Sequence, residues 1–235
     1  ECPGHFGHLD LARPVYHIGF INKVKKILES VCIHCGKLKA DQYTNPRYAD
    51  DLRYTRNNRK RRFQKVWENC SKILTCDADE IKEEDEMDAQ DDRPRHGGCG
   101  QEQPNIRREG LRLYTQWRKG KEEGDDVAGP KMSQPEKKQL SAAEALAILK
   151  RIPDEDIELM GLSKEWARPE WMILTIMPVP PPPVRPAISE GGTAKGEDDL
   201  TYKLAEIIKA SQQLKRFEQE GAPAHIVDEF EDVLQ

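Results

Sequence analysis

The chain has 235 residues, 37% of them hydrophobic and 34% charged, with a formal net charge of −5. An average soluble domain has about 45–50% apolar and about 25% charged residues, so the core is lean for the length, and metal or partner surfaces are expected to help hold it. No apolar run is long enough to cross a bilayer, and the acidic balance argues against a free-standing nucleic-acid binder, which would carry a basic excess.

The opening ECPGHFGHLDLARP is rich in Gly, Pro and His and reads as an irregular, metal-organised loop. Over Val15–Val31, Ile18, Ile21, Val24, Ile27 and Leu28 recur at helical spacing and predict an amphipathic helix running into Cys32-Ile33-His34-Cys35-Gly36. Residues 37–62 are polar and basic, and the run Arg53–Arg62 is expected to be a solvated loop, as is the acidic run Asp77–Asp92 that contains Asp79 and Asp85. A solvated charge run does not hold carboxylates rigidly, so the acidic run is not read as a magnesium site. Between the two runs, Phe63, Val66, Trp67 and Cys70 predict a helix over Phe63–Leu74.

Past His96-Gly97-Gly98-Cys99-Gly100, the segment Leu111–Tyr114 reads as a strand and 118–138 as a connector. Ser141 and Glu144 form a capping box for a helix that stops before Pro153. Trp171–Met177 reads as a buried strand that Pro180–Pro183 cannot continue, because proline lacks an amide donor and favours an extended chain. Residues 189–197 read as a flexible loop. Asp198 and Asp199 then open a long amphipathic helix ending near Gly221, and Pro223 opens one more with Ile226, Val227, Phe230 and Leu234 on one face. The chain starts inside a motif and stops inside a helical pattern, so it is expected to be an internal piece of a longer protein.

The chemistry lies in the cysteines Cys2, Cys32, Cys35, Cys70, Cys76 and Cys99. Cys32-x-x-Cys35-Gly36 places two thiolates within reach of one tetrahedral ion, and His96-Gly-Gly-Cys99-Gly is a second tight turn. Soft thiolates select zinc over hard cations. Spacing leaves the grouping open: Cys2 and His5 could join Cys32 and Cys35, or Cys76 and Cys99 could. Cys70 lies on an apolar helix face and reads as a small buried hydrophobe. His8, His17, His34 and His96 read as neighbours of the sites or surface groups, with His96 open as a substitute ligand. There is no Gly-rich phosphate loop and no H-E-x-x-H, so no catalytic residue is assigned.

Four stretches carry a resemblance that spans nearly the whole chain: ECPGHFGHLDLARPVYHIGF at 1–20, GGCGQEQPNIRREGL at 97–111, RPEWMILTIMPVPPPPVRP at 168–186 and GEDDLTYKLAEIIKASQQL at 196–214. Together they resemble the largest subunit of eukaryotic RNA polymerase II, in its N-terminal clamp region. The third stretch looks more like polymerase II than its polymerase I or III relatives. The resemblance implies that Cys32, Cys35, Cys76 and Cys99 hold one structural zinc. It implies that Cys2 and His5 are half of a second site whose other ligands precede residue 1, and that Cys70 is not a ligand.

The resemblance further implies an α+β fold, with an irregular zinc-stabilised clamp head over 1–117, a mobile connector over 118–140, and helices flanking a short sheet over 141–235. It implies a nuclear subunit of a DNA-directed RNA polymerase whose catalytic aspartates, and hence its magnesium, lie outside this chain. Expected partners are the other polymerase II subunits including the second-largest, template DNA and the DNA–RNA hybrid, and initiation and elongation factors, with no membrane. Arg56, Arg59, Lys60, Arg61 and Arg62 are candidate phosphate contacts, set against a plain solvent-facing role. Two other classes compete: a free-standing zinc protein on single-stranded nucleic acid, which the net charge and scarcity of stacking aromatics oppose, and an interaction module built on PVPPPPVRP.

Overall fold

The computed structural model describes residues 2–78, 97–117, 137–189 and 195–235. The expected connector and acidic run fall largely outside these residues, as does His96. The class is α+β, as expected: among the described residues, α-helices and small antiparallel sheets alternate. Contacts divide the chain into two compact units, 1–17 with 173–235, and 18–172. This division falls elsewhere than a split at 118–140, because strand pairing ties the first residues to the last third of the chain.

In the first unit, the opening segment is not an irregular loop. It forms β1 (Gly7–Tyr16), which pairs antiparallel with β5 (Ile173–Val179), from Gly7↔Val179 to Tyr16↔Ile173. The register shifts between Asp10 and Val15, where Pro14 brings no amide donor to the ladder. The expected buried strand over 171–177 is shifted and half-exposed. Trp171 lies in a 3-10 turn over Pro169–Met172 and is 56% exposed, and Ile176 points out of the sheet. The prolines do end the strand, and Pro182–Val184 form a 3-10 turn.

Two short strands, β6 (Ile188–Ser189) and β7 (Lys195–Gly196), pair where a loop is expected over 189–197. The long helix α6 (Asp199–Gln219) is capped by Asp198 and followed by α7 (Ala224–Leu234). Val15, Leu214, Val227 and Leu234 form the unit's core cluster. Phe217 and Phe230 stack with centroids 4.6 Å apart. Gln235 accepts from Tyr16 N–H at 2.8 Å and donates to Tyr16 C=O at 2.9 Å, which fastens the end of α7 to β1.

In the second unit, α1 (Ile21–Ser30) is shorter than the periodicity suggests. Val15 and Tyr16 belong to β1, and Ile18 is 70% exposed. Ile21, Val24, Ile27 and Leu28 form its fully buried stripe. The basic stretch expected as loop is mostly helical, in α2 (Pro46–Tyr54) and α3 (Arg59–Cys70). The side chains of Asn45 and Asn58 accept the Tyr48 and Arg61 amides at the two helix starts.

A hairpin of β2 (Asn105–Glu109) and β3 (Arg112–Gln116) turns at Gly110, and β4 (Lys137–Leu140) adds a third strand. The capping box is present: Ser141 Oγ accepts Glu144 N–H, and Glu144 accepts Ser141 N–H, both at 3.1 Å, opening α4 (Ala142–Lys150). A short helix, α5 (Asp154–Leu159), follows Pro153.

Candidate metal centre

The first pair of cysteines sits where α1 runs out. Val31 bridges Leu38, Cys32 N–H donates to Lys37 C=O at 2.8 Å, and Gly36 N–H donates to Cys32 C=O at 2.9 Å. These bonds close a knuckle in which Cys32 and Cys35 point the same way. Gly36 has φ +82°, and a Cβ there would lie 2.7 Å from Arg151 C=O. Arg151 also donates to His34 C=O at 2.7 Å, so the end of α4 braces the knuckle from outside.

The second pair comes from two segments far apart in sequence. Cys76 N–H donates to Gln101 C=O at 2.9 Å and Gln103 N–H to Leu74 C=O at 2.7 Å, which zips 74–76 against 101–103. Ala78 pairs with Gly98 in parallel. At Gly98 a Cβ would lie 1.9 Å from Asp77 C=O and 3.0 Å from Cys76 Sγ, so only glycine lets the two segments approach.

These elements bring Cys32, Cys35, Cys76 and Cys99 together, with all four sulfurs within 4.8 Å of one another. Cys32 Sγ and Cys99 Sγ are 3.5 Å apart, and Cys35 Sγ and Cys76 Sγ 3.8 Å. Zinc–sulfur bonds of ~2.3 Å in a tetrahedron put sulfurs ~3.8 Å apart, so the donor set fits zinc in both chemistry and spacing. Amide N–H groups of His34 and Cys35 point at Cys32 Sγ at 3.4 and 3.5 Å, and that of Cys99 at Cys76 Sγ at 3.4 Å.

Burial works against ionising Cys32, but the amides of Cys35 and His34 and the neighbouring thiols outweigh it, and its pKa falls below the ordinary thiol value. Burial raises the pKa of Cys35, only partly offset by the Lys37 amide, and raises that of Cys76. Four thiols this close cannot all ionise unaided, and a divalent cation would supply the compensating charge. Lys39, 4% exposed, donates to Ile73 C=O at 2.8 Å. Burial lowers its pKa, and the nearby Cys70, Glu29, Cys32 and Cys76 pull the other way.

The family model described as RNA polymerase Rpb1, domain 1, matches residues 1–235. The chain belongs to this family. Rpb1 is the largest RNA polymerase subunit, so this Rpb1 domain has its role in transcription. It belongs to a complex with DNA-directed RNA polymerase activity that assembles from further subunits and engages nucleic acid.

Within the Rpb1 domain, Cys76 and Cys99 lie in one group with Cys32 and Cys35. Cys2 Sγ and His5 Nε2 lie 3.8 Å apart at an exposed turn. Cys70 is fully buried, away from the four-sulfur group, and burial pushes its thiol pKa up to about 12. That is the behaviour of an inert apolar side chain.

The basic residues occupy an unfavourable place. Arg59, Lys60, Arg61 and Arg62 form the first turn of α3, at the positive end of the helix dipole, with no acidic residue in that turn. Arg62 is half-buried and donates to Leu159 C=O at 2.8 Å. Arg56, Arg59, Lys60 and Arg61 are exposed, and none forms an ion pair with a described residue. Lys60 and Arg61 line a cleft of about 600 Å³ with Lys23, Lys26 and Phe63.

Three residues of the site escaped sequence reasoning: Lys39, Gly98 as a packing requirement, and Gln103. Gln103 is 6% exposed and donates to Cys32 Sγ at 3.2 Å. Only the short offset of Gln103 from Cys99 could have flagged it, and many surface glutamines share such offsets.

Proposed function

We propose that this chain is the zinc-bearing clamp of the largest subunit of nuclear RNA polymerase II. In this reading it closes over template DNA and the DNA–RNA hybrid during synthesis of messenger RNA and does no chemistry itself. The observation that carries the reading is the four-sulfur group, built from three separate chain segments inside an Rpb1 domain. Zinc held by Cys32, Cys35, Cys76 and Cys99 would staple loops that have little core of their own, so that the head can turn as one body. Cys2 and His5 would supply half of a second zinc site. Their 3.8 Å separation suits ~3.6 Å for sulfur and nitrogen on one tetrahedral zinc.

The polymerase II assignment rests on the resemblance of residues 168–186, and the nuclear location follows from it. The other polymerase II subunits, the second-largest among them, and initiation and elongation factors are its proposed partners. Arg56, Arg59, Lys60 and Arg61 are proposed phosphate contacts, with Arg62 supporting them from beneath. Arg59, Lys60 and Arg61 cluster at a helix start with no acidic residue in that turn, an arrangement better explained by an anionic ligand than by helix stability.

The test uses the assembled polymerase with a donor dye at the exposed Tyr54 position and an acceptor on the second-largest subunit. Loading a template with its DNA–RNA hybrid should shorten the distance, and a joint charge reversal of Lys60 and Arg61 should speed hybrid release and flatten its salt dependence. A distance unchanged by loading rejects the clamp reading. Occupancy at ribosomal RNA genes, in place of protein-coding ones, rejects polymerase II.

A further inference from the structure

The two halves of the sulfur group come from distant parts of the chain, and the side chain of Gln103 bonds from one half to a sulfur of the other. Gln103 follows Cys99 in the same segment. Its main-chain N–H donates to Leu74 C=O at 2.7 Å, which anchors the strand leading to Cys76. Its side-chain Oε1 accepts Ile33 N–H at 3.0 Å, inside the Cys32–Cys35 knuckle. Its Nε2 donates to Cys32 Sγ at 3.2 Å and to Gln101 C=O at 3.0 Å.

The orientation of the amide is fixed by chemistry. Ile33 N–H can only donate, so it must face the oxygen. The NH2 group is left with two hydrogens and two acceptors, a sulfur and a carbonyl. Three of the four hydrogen-bonding positions of this buried amide are thereby used. A glutamate in its place would set a carboxylate against a thiolate, and an apolar residue would leave Ile33 N–H without its acceptor.

We propose that Gln103 is the positioning residue of the four-thiolate site, locking the Cys32–Cys35 knuckle to the Cys76–Cys99 half and donating an N–H···S bond that holds Cys32 as a thiolate ligand. The proposal rests on the reading of the sulfur group as a metal site. A hydrogen bond from outside a metal's ligand sphere orients the ligand and spreads its charge, and losing one typically weakens metal binding ~10–100-fold. Hydrogen bonds of Gln103 run in one continuous path from Leu74 C=O to Ile33 N–H and Cys32 Sγ, and among the described residues the side chain of Lys37 also links the two halves, its Nζ donating to Gly97 C=O at 2.9 Å.

The experiment uses the full chain loaded with cadmium-113 or zinc. In the unmutated cadmium form, the Gln103 side-chain amide protons should show a through-bond NMR correlation to the metal across N–H···S. In the zinc form, a chromogenic chelator should strip metal ~10–100-fold faster from Gln103→Met than from the parent, and faster still from Gln103→Glu. Failure to see the correlation in a chain that holds cadmium overturns the proposal, as do release rates within about twofold of the parent. The correlation is measured on the parent, so it decides the matter even where a variant fails to fold. A chain that holds no metal at all instead overturns the metal reading on which the proposal rests.

Discussion

The two compact units solve the problem of a lean core differently. The unit formed by 1–17 and 173–235 closes a helix pair over a two-stranded ribbon. Its core cluster is Val15, Leu214, Val227 and Leu234, and an aromatic pair and ion pairs from Arg13 to Glu218 and Glu231 surround it. The unit formed by 18–172 has a larger apolar stripe on α1, and its cysteine-bearing segments add only a few buried apolar residues, such as Val31 and Leu38. These segments meet through main-chain bonds, close glycine approach and four sulfurs. The difference teaches that apolar burial holds helices together, whereas loop segments that meet through four sulfurs stand to gain most from a metal cross-link that the polypeptide alone does not provide.

The largest expected effect comes from breaking that cross-link. Cys35→Ser, or exhaustive chelation, should remove a metal whose binding contributes ~10–16 kcal/mol in small structural zinc sites. Amide exchange should then rise sharply over 32–36 and 98–103 while α6 and α7 stay protected. Equal loss of protection in both units would abolish the contrast. An intermediate effect is expected from Leu214→Ala, which empties a fully buried position and should cost about 2–5 kcal/mol. It should lower the unfolding midpoint reported by α6 and α7 while the zinc content stays at the parent value. The smallest is Ser141→Ala, which removes one half of the capping box and should cost about 1 kcal/mol. It should loosen α4 with no change in metal content. Metal loss from this variant would mean that the brace from Arg151 to His34 governs the site more than the sulfurs do.

Much of the fold was legible where a local rule has little competition. The capping box at Ser141, the cap at Asp198 and the long helix ending near Gly221 follow from side-chain chemistry within a few residues. The misreadings have long-range causes. The opening segment looks irregular because its Gly and Pro are visible in sequence and its partner strand, far along the chain, is not. Residues 53–62 read as solvated loop from charge alone, yet Asn45 and Asn58 cap two helices that take in both ends of that run and whose buried faces need only Tyr48, Leu52, Val66 and Cys70.

At the site, the pair Cys32 and Cys35 was readable from spacing, and the choice between its possible completions was not. That choice depends on the pairing of 74–76 with 101–103, which leaves no trace in ligand spacing. Gln103 was invisible for the same reason.

The ladder partner of Tyr16 is Ile173, so the whole of 18–172 departs from and returns to neighbouring positions on one ribbon. During synthesis, β1 must therefore wait for a very long stretch of chain before its partner exists. The entropy of closing that loop grows only with the logarithm of its length. A segment that has already condensed behaves as a much shorter one, with its two ends held close. Early capture of metal by 32–99 would thus reach beyond its own loops: by compacting the insert, it would hasten the meeting of two strands that carry none of the sulfurs.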